Sequence, residues 1–184
     1  MKTTMMILVV YFLTTPTSWS QQASDTLEEL IHISRGGQLY DNWWRTTIDT
    51  LKPKSDHPLW GEQSTNKRTG YDTFRCKECH GWDYKGKDGA YGAGSHATGF
   101  LGIEDAAANM SIMELEASLR GETNKLHDFN SYIDDNDIAD LALFMKMGLI
   151  DTTKFTDSEG NAQGGDPRTG GRIFRRTCAR ACHG

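Results

Sequence analysis

Apolar side chains recur at helical spacing in three stretches of the chain, and the first lies near the amino terminus. The spacing predicts a helix over 26–40, capped by Ser24 or Asp25 and ending in the glycine pair Gly36-Gly37 followed by aromatic residues. Its apolar stripe consists of Leu27, Leu30, Ile31 and Ile33. A stripe of this kind is typical of a helix that packs against a core.

Two further helices are predicted in the second half of the chain. The sequence Ser111-Ile112-Met113-Glu114 matches the capping-box pattern, which predicts a helix that begins there and stops at Gly121. The last helix begins at Asp134 or Asp135 and ends at Gly148. Its apolar positions are Ile138, Leu141, Ala142 and Met145. Together the three stretches predict an all-α fold.

The segments between these helices are rich in glycine, proline and polar residues, which predicts irregular structure. Residues 43–74 form a long connection that we expect to be anchored by three tryptophans, Trp43, Trp44 and Trp60. A glycine-rich run follows at 81–94. Both segments are placed to wrap over a core or over the edge of a ligand.

The most specific chemical feature of the sequence is Cys76-Lys77-Glu78-Cys79-His80. Two thiols at this spacing can each add across one vinyl group of a porphyrin, and the histidine that follows is then held under the iron as its proximal ligand. The pentapeptide therefore predicts covalent attachment of a haem c through Cys76 and Cys79, with His80 on the iron.

The other two cysteines of the chain are also followed at once by a histidine. Cys178 and Cys182 precede His183, but three residues separate these thiols instead of two. The loop between them must bulge to present both sulfurs to one porphyrin, and this spacing is the less common attachment motif. It predicts a second haem c, bound by Cys178, Cys182 and His183.

Three other interpretations of the cysteines are open at the level of sequence. Two distant cysteine pairs can hold a structural zinc ion, although zinc gives no reason for a histidine after each pair. An even number of cysteines in an exported chain is also compatible with disulfides. A lone CxxC pair occurs as well in redox proteins of the thioredoxin type.

The first twenty residues have the pattern of a secretory signal peptide. Lys2 gives a positive start, residues 5–13 are an apolar run, and Ser18-Trp19-Ser20 supplies small residues near a cleavage site. The run is shorter than the about 20 residues that cross a bilayer. We therefore expect no permanent membrane span, with an uncleaved signal anchor as the alternative, and export to the periplasm or an equivalent compartment, where haem is attached to such motifs.

Charge places this chain of 184 residues among modestly acidic proteins, with a formal net charge of -5 at pH 7. Lysine and arginine are spread along the chain without a basic block, which argues against nucleic acid as a partner. An acidic surface is instead suited to steering a basic redox protein. The expected partners are therefore electron donor and acceptor proteins.

A short internal repeat lies upstream of each cysteine pair. Residues 170–174, Gly-Gly-Arg-Ile-Phe, echo residues 36–40, Gly-Gly-Gln-Leu-Tyr. The repeat divides the chain into four parts, namely a signal peptide at 1–20, a first domain at 21–150, a linker at 151–167 and the start of a second domain at 168–184. Because only Gly184 follows His183, this second domain lacks a closing helix and a distal ligand. We expect the sequence to belong to a longer di-haem protein, the alternative being a tail that docks onto a partner chain.

The layout resembles the class I cytochrome c family, whose helices enclose one haem per domain. The resemblance covers 25–148 as one domain and 168–184 as the beginning of another. It is carried by Gly37-Gln38-Leu39-Tyr40, the motif ending at His80, Leu119-Arg120-Gly121 and the sequence from Asp137 to Phe144. In the family the first and last helices cross, which implies that Gly37 and Tyr40 meet Leu141 or Phe144.

The sequence departs from this family at the sixth ligand of the iron, which is usually a methionine in the loop before the last helix. The loop from Gly121 to Asp134 contains no methionine and offers His127, which we predict to be the distal ligand. A site with two histidines lacks the thioether that raises the potential, so we expect a lower potential than in a His/Met site. The alternatives are a solvent-exposed His127 and, as second candidate ligand, His96.

The remaining methionines and histidines have weaker arguments for a place on the iron. Core packing is the expected role of Met110, Met113, Met145 and Met147, since methionine readily fills irregular gaps in a core. Nothing in the position of His32 or His57 connects them with the haem.

Two protein ligands on one iron leave no open position for a substrate, which favours an electron carrier over an enzyme. The sequence therefore predicts an exported c-type cytochrome. One alternative is a haem-dependent oxidoreductase or its electron-accepting subunit, for example in the oxidation of sulfur compounds. Another is a subunit of a multihaem electron-conducting assembly. No carboxylate pair, nucleophile with a base or phosphate loop is evident in the sequence.

Overall fold

Helices form almost all of the regular structure of the protein. The computed structural model describes residues 19–47, 52–157 and 161–179, and within these ranges the β-type pairings are three isolated bridges. The helices are α1 (Trp19–Thr46), α2 (Cys76–His80), α3 (Glu104–Asn109), α4 (Ile112–Leu119), α5 (Asp135–Leu143) and α6 (Pro167–Ile173). The prediction of an all-α fold is confirmed.

The predicted signal peptide lies outside the described residues except for the backbone of Trp19 and Ser20, which belongs to α1. None of the helices in the described part of the chain combines the length and the apolar character that a membrane crossing requires.

α1 is longer than the sequence predicted. It begins at Trp19, passes through Gly36-Gly37 without ending there, and reaches Thr46 after a kink at Asn42. The glycine pair lies inside the helix because another helix crosses at this point. A Cβ atom on Gly36 would lie 2.1 Å from the backbone oxygen of Asp140 in α5, so only glycine permits the observed approach.

The apolar stripe predicted for α1 does not face the core, and that prediction is wrong. Leu27, Leu30 and Ile31 are each more than half exposed. Ile33 packs partly against the core, and Leu39 and Tyr40 are buried within it. The part of α1 that packs on the rest of the domain is thus its second half, around the crossing with α5.

The crossing of α1 and α5 brings together the residues that the family resemblance implied. Gly37 lies against the ring of Phe144, and the rings of Tyr40 and Phe144 are 5.8 Å apart between centroids. Ion pairs flank this contact. They join His32 to Asp140 at 2.6 Å and Arg35 to both Asp137 and Asp140.

The two later helices begin as predicted. Both hydrogen bonds of the capping box between Ser111 and Glu114 are present, and Gly121 adopts a φ of 71° just beyond the end of α4. Asp134 caps α5 by accepting a hydrogen bond from the backbone of Asp137. The helix then continues into a π-helical turn, Phe144–Gly148.

α3 was not predicted from the sequence, and its carboxyl end is held by a side chain from the π-helical turn. The Nζ atom of Lys146 donates hydrogen bonds to the backbone oxygens of Ala107 at 2.9 Å, Ala108 at 3.3 Å and Met110 at 2.8 Å. These carbonyls lack backbone partners because they lie at the end of the helix. The ammonium group of Lys146 therefore provides the hydrogen-bond donors that the helix itself lacks there.

The connection before the cysteine motif is irregular, as predicted, but it begins after Thr46 because Trp43 and Trp44 belong to α1. Its described part contains two 3₁₀ turns, Pro58–Glu62 and Gly70–Phe74. All three predicted anchors are buried. Trp43 donates a hydrogen bond through Nε1 to the backbone oxygen of Phe74 at 3.1 Å, which ties α1 to the residues just before the motif.

The segment that echoes the first glycine pair is also helical. Gly170 and Gly171 lie in α6, but no atom lies within 4 Å of a Cβ built on Gly170, in contrast to the close approach at Gly36. α6 is exposed along nearly all of its length. Cys182 and His183 lie outside the described residues, so the second attachment site and the domain division stay predictions.

Candidate cofactor site

The cysteine motif forms the short helix α2, whose carboxyl end is fixed by hydrogen bonds. Gly81 follows it with a φ of 78°, and its backbone nitrogen donates to the oxygen of Lys77 at 3.0 Å. The Tyr40 hydroxyl donates a hydrogen bond to the backbone oxygen of Gly81 at 2.7 Å. α1 thereby holds the carboxyl end of the motif in place.

A buried carboxylate inside the motif attaches it to the preceding connection. Glu78 is 1% exposed, and its Oε2 lies 2.8 Å from Nε of Arg68 while its Oε1 lies 3.7 Å from Arg75. A buried charge requires such partners, because its desolvation is costly. The pairing therefore joins the irregular connection before the motif to α2.

A cavity of about 260 Å³ lies between α2 and the helices of the second half of the chain. Cys76, His80 and His127 reach it, and most of its other lining residues are apolar. The apolar ones include Tyr40, Ile103, Ala106, Leu115, Leu119 and Leu141. Side chains from α1 to α5 thus enclose one space beside the cysteine motif.

A second, smaller cavity of about 50 Å³ is also lined by residues of the cysteine motif. It shares Cys76, His80 and His127 with the larger cavity and adds Cys79. The four residues that the sequence predicted for the first site therefore all line the smaller cavity, although His127 lies 47 positions after His80 in the sequence.

The rings of His80 and His127 are close to each other, with centroids 6.2 Å apart and planes at 77°. Two imidazoles that bind one metal atom from opposite sides, through metal–nitrogen bonds of about 2 Å, have their centroids about 6 Å apart. The observed separation allows both rings to bind one metal atom, but the ring of His57 lies equally close to His127, at 6.1 Å, so hydrogen bonding must distinguish the candidates.

Hydrogen bonds give both rings the tautomer that a metal ligand needs. Nδ1 of His80 lies 2.7 Å from the backbone oxygen of Leu101, and Nδ1 of His127 lies 3.2 Å from that of Ser118. A carbonyl only accepts, so Nδ1 carries the proton in each ring and the lone pair is on Nε2. Such backbone partners are also what orients ligating histidines in metal sites.

Burial keeps both rings neutral. It lowers the pKa of His80 to about 4, despite the opposing effect of the Leu101 hydrogen bond, and it also lowers the pKa of His127. Only neutral imidazole can coordinate a metal, so no proton must be displaced from either ring near neutral pH.

The thiols of the motif are neither oxidised nor activated. Cys76, Cys79 and Cys178 are free, and burial raises the pKa of both Cys76 and Cys79 to about 12. A thioredoxin-type pair needs a thiol with a lowered pKa, so this environment argues against that interpretation.

In the described part of the chain, no three or more His, Cys, Asp or Glu residues are grouped to hold a metal ion.

The second candidate for the distal position lies elsewhere. The ring of His96 stacks on Tyr91 at 4.9 Å, and its Nδ1 is 3.7 Å from Oε2 of Glu78. His96 is not among the residues that line either cavity. Of the two histidines weighed as distal ligands, His127 is the one next to His80.

The four methionines in the part of the chain that the structure describes divide between cavity and solvent. Met110 and Met145 line the larger cavity, and Met145 is buried in the core cluster. Met113 and Met147 are 79% and 61% exposed, so core packing was the wrong expectation for these two. Their exposure follows from their positions on the outer sides of α4 and of the π-helical turn.

Sequence reasoning missed His57. Its ring is buried, lines the smaller cavity, stacks on Phe129 at 5.5 Å and lies 6.1 Å from the ring of His127. The one local signal was His57-Pro58, a polar residue before a proline, which is typical of the start of a helical turn. That signal predicts the turn but does not predict that His57 lines a cavity.

No protein-family model, curated protein or solved structure matches this chain. The function therefore has to be argued from the arrangement of its own residues.

Proposed function

We propose that this protein is an exported c-type cytochrome that carries electrons between redox proteins. In this proposal Cys76 and Cys79 hold one haem c, and His80 and His127 are its axial ligands. The observation that carries the proposal is the pair of neutral imidazoles with centroids 6.2 Å apart, next to two free thiols and an apolar cavity.

The residues present fit the requirements of haem c. Two thiols belong to one short helix, and one of the two imidazoles directly follows the second thiol. The surrounding side chains are mostly apolar, as the porphyrin face requires. When bound, the haem supplies an iron that alternates between the ferric and ferrous states.

The chain's own contribution is to bind, orient and shield this group. Leu101 and Ser118 fix the two imidazoles through their backbone oxygens, and Tyr40 fixes the end of the motif. Leu115, Leu119 and Leu141 exclude water from the cavity. With both axial positions taken by protein, the site is suited to electron transfer rather than to substrate binding.

The resemblance to class I cytochromes c supports the proposal and is itself part of it. The close crossing of α1 and α5, with Gly37 on Phe144, is the arrangement expected for that family. We extend the proposal to the second motif, in which Cys178, Cys182 and His183 would hold another haem c. Location in the periplasm belongs to the same proposal.

The test is to express the whole chain, with its own amino terminus, in a host that attaches haem c. Intact mass and the pyridine haemochrome spectrum of the exported protein count the haems per chain. We expect at least one covalent haem, lost in Cys76→Ala/Cys79→Ala. A second haem would be lost in Cys178→Ala/Cys182→Ala, the matched control for the first site.

The ferric absorption spectrum tests the ligands separately from the attachment. A six-coordinate low-spin iron is expected for two histidines. A colourless exported chain, or one that contains zinc or cystine at Cys76 and Cys79, would refute the proposal. A coloured protein with a high-spin iron that binds carbon monoxide or cyanide readily would favour a haem enzyme over a carrier.

A further inference from the structure

The segment that carries His127 is a loop whose two ends are joined at the end of α4. The backbone nitrogen of Phe129 donates a hydrogen bond to the backbone oxygen of Leu119 at 3.0 Å, and Arg120 and Asp128 form an isolated bridge beside it. The position of the His127 ring therefore depends on how the residues inside this closed loop are held.

Inside the loop, His127 is the last residue of a single 3₁₀ turn, Lys125–His127. So short a turn fixes several backbone dihedrals for few hydrogen bonds, and it needs support from outside. Asn124 gives that support twice. Its side-chain Oδ1 accepts a hydrogen bond from the backbone nitrogen of Leu126 at 3.0 Å, and its backbone oxygen accepts one from the backbone nitrogen of His127 at 2.8 Å.

The same turn determines where the imidazole of His127 points. Nδ1 of His127 lies 3.2 Å from the backbone oxygen of Ser118 in α4, a contact that exists only while the turn keeps its place against the helix. Ser118, Asn124 and His127 all line the larger cavity. The capped turn is therefore part of the wall of the proposed haem site.

We propose that Asn124 is a positioning residue for the distal ligand, and that its side-chain cap on Leu126 keeps His127 within reach of the iron. This inference rests on the proposed function. His127 can leave the iron only when its turn moves away from α4, and the cap opposes that movement. Hydrogen bonds of this supporting kind commonly orient the histidines of metal sites.

Two substitutions at Asn124 separate the cap from the rest of the loop. Asn124→Ala removes the side-chain acceptor, whereas Asn124→Ser keeps an acceptor without adding charge, and serine caps about as well as asparagine. Cyanide is the probe. It binds a six-coordinate ferric iron only by displacing a histidine, and His80 is tethered beside Cys79, so the binding rate reports how often His127 detaches.

We expect the ferric Asn124→Ala protein to bind cyanide about fivefold faster than wild type, the factor that corresponds to a typical lost side-chain cap. Asn124→Ser should bind it at nearly the wild-type rate. The matched control is Asp151→Ala, because Asp151 caps a similar turn, Thr152–Lys154, by accepting from the backbone nitrogen of Thr153 at 3.1 Å. This control should leave the rate unchanged.

Haem content and the ferric spectrum of each protein are measured first, which distinguishes failure of this inference from failure of the proposed function. A wild-type chain without haem refutes the function. A haem-loaded, low-spin Asn124→Ala protein with the wild-type cyanide rate overturns the inference alone. An equal acceleration in Asn124→Ser or in Asp151→Ala also overturns it, because general loosening of the chain would then explain the effect.

Hydrogen exchange on the haem-loaded wild-type protein tests the same point without any substitution. We expect the amides of Leu126 and His127, which donate to Asn124, to exchange more slowly than in an unstructured peptide of the same sequence. Exchange of the Leu126 amide at the rate of such a peptide would overturn the inference, since the cap would then not be formed.

Discussion

At the scale of single residues, three histidines near one cavity acquire different chemistry from their hydrogen bonds. Carbonyl oxygens at Nδ1 turn His80 and His127 into rings with a free lone pair on Nε2, while a backbone N–H at Nδ1 turns His57 into a donor. Residue type alone does not distinguish them. The difference arises from which backbone group faces each ring, and that is a property of the fold.

Replacing the distal candidate should change the spin state of the iron. We expect His127→Ala to convert a six-coordinate low-spin ferric spectrum to a high-spin one and to allow cyanide or carbon monoxide to bind, because one axial position is then open. Absorption and electron paramagnetic resonance spectra of the purified protein provide the measurement.

The matched control for this substitution is His96→Ala, since His96 contacts Tyr91 and Glu78 and does not line the cavity. It should leave the spectrum low-spin. If His127→Ala keeps the wild-type spectrum, His127 is not a ligand.

The candidate ligands follow from short sequence patterns, and their binding of a haem stays a prediction. Local spacing singles out Cys76, Cys79 and His80, and the family resemblance points to the loop that holds His127. His57 was missed because its position depends on how a connection of more than twenty residues folds back over the motif, which no local pattern encodes.

At the scale of elements, the crossing of α1 and α5 depends on glycine. We expect Gly36→Ala to destabilise the domain by about 2 kcal/mol or more, because overpacking costs about 1 to 3 kcal/mol and the backbone oxygen of Asp140 cannot yield like a flexible side chain. The measurement is urea unfolding of the haem-loaded protein, followed by circular dichroism.

Gly170→Ala is the matched control, because Gly170 occupies the corresponding place in the repeat but has no atom within 4 Å of its Cβ position. This change should be neutral or slightly stabilising, since alanine favours a helix by about 1 kcal/mol over glycine. Equal loss of stability in both variants would contradict the explanation by helix crossing.

A second prediction concerns α3, which contributes Ala106 to the wall of the larger cavity. Lys146→Met removes the three hydrogen bonds that hold its carboxyl end. We expect a loss of about 1 to 3 kcal/mol, the range for a hydrogen bond to a charged group or for unpaired backbone acceptors. Hydrogen exchange should show faster exchange of the α3 amides. Lys154→Met is the control, because Lys154 pairs with Asp151 at 3.7 Å and lies outside α3, and it should leave these amides unchanged.

Sequence patterns were reliable for helix starts and unreliable for the direction in which a helix faces. The caps at Ser111 and Asp134 are local and were correct. The stripe of Leu27, Leu30 and Ile31 was placed on the wrong side because periodicity shows that a helix has an apolar face without showing what covers it. The pair Gly36-Gly37 predicts a helix end but lies inside α1, because glycine serves both as a stop signal and as a point where another helix can approach closely.

At the scale of the whole molecule, side chains from α1 to α5 line one largely apolar cavity of about 260 Å³. Under the proposed function, a haem held there would contact every one of these helices. It is therefore expected to be part of the structural core.

Preventing haem attachment should then weaken the entire domain. We expect the haem-free Cys76→Ala/Cys79→Ala chain to lose several kcal/mol of stability and much of its amide protection in α3 to α5. Circular dichroism and hydrogen exchange against the haem-loaded protein provide the comparison. A haem-free chain as stable as the loaded one would show that the cavity closes on its own.

The long-range pairing of α1 with α5 also orders the steps by which the protein matures. Arg35 and Asp137 lie 102 positions apart along the chain, so the ring of contacts around the cavity closes only once nearly the whole first domain has emerged. The folded surroundings partly bury Cys76 and Cys79 and raise the pKa of both thiols to about 12, which suppresses the thiolate form on which their reactivity depends. Under the proposed function, haem attachment is therefore expected to precede the folding of α5 onto α1.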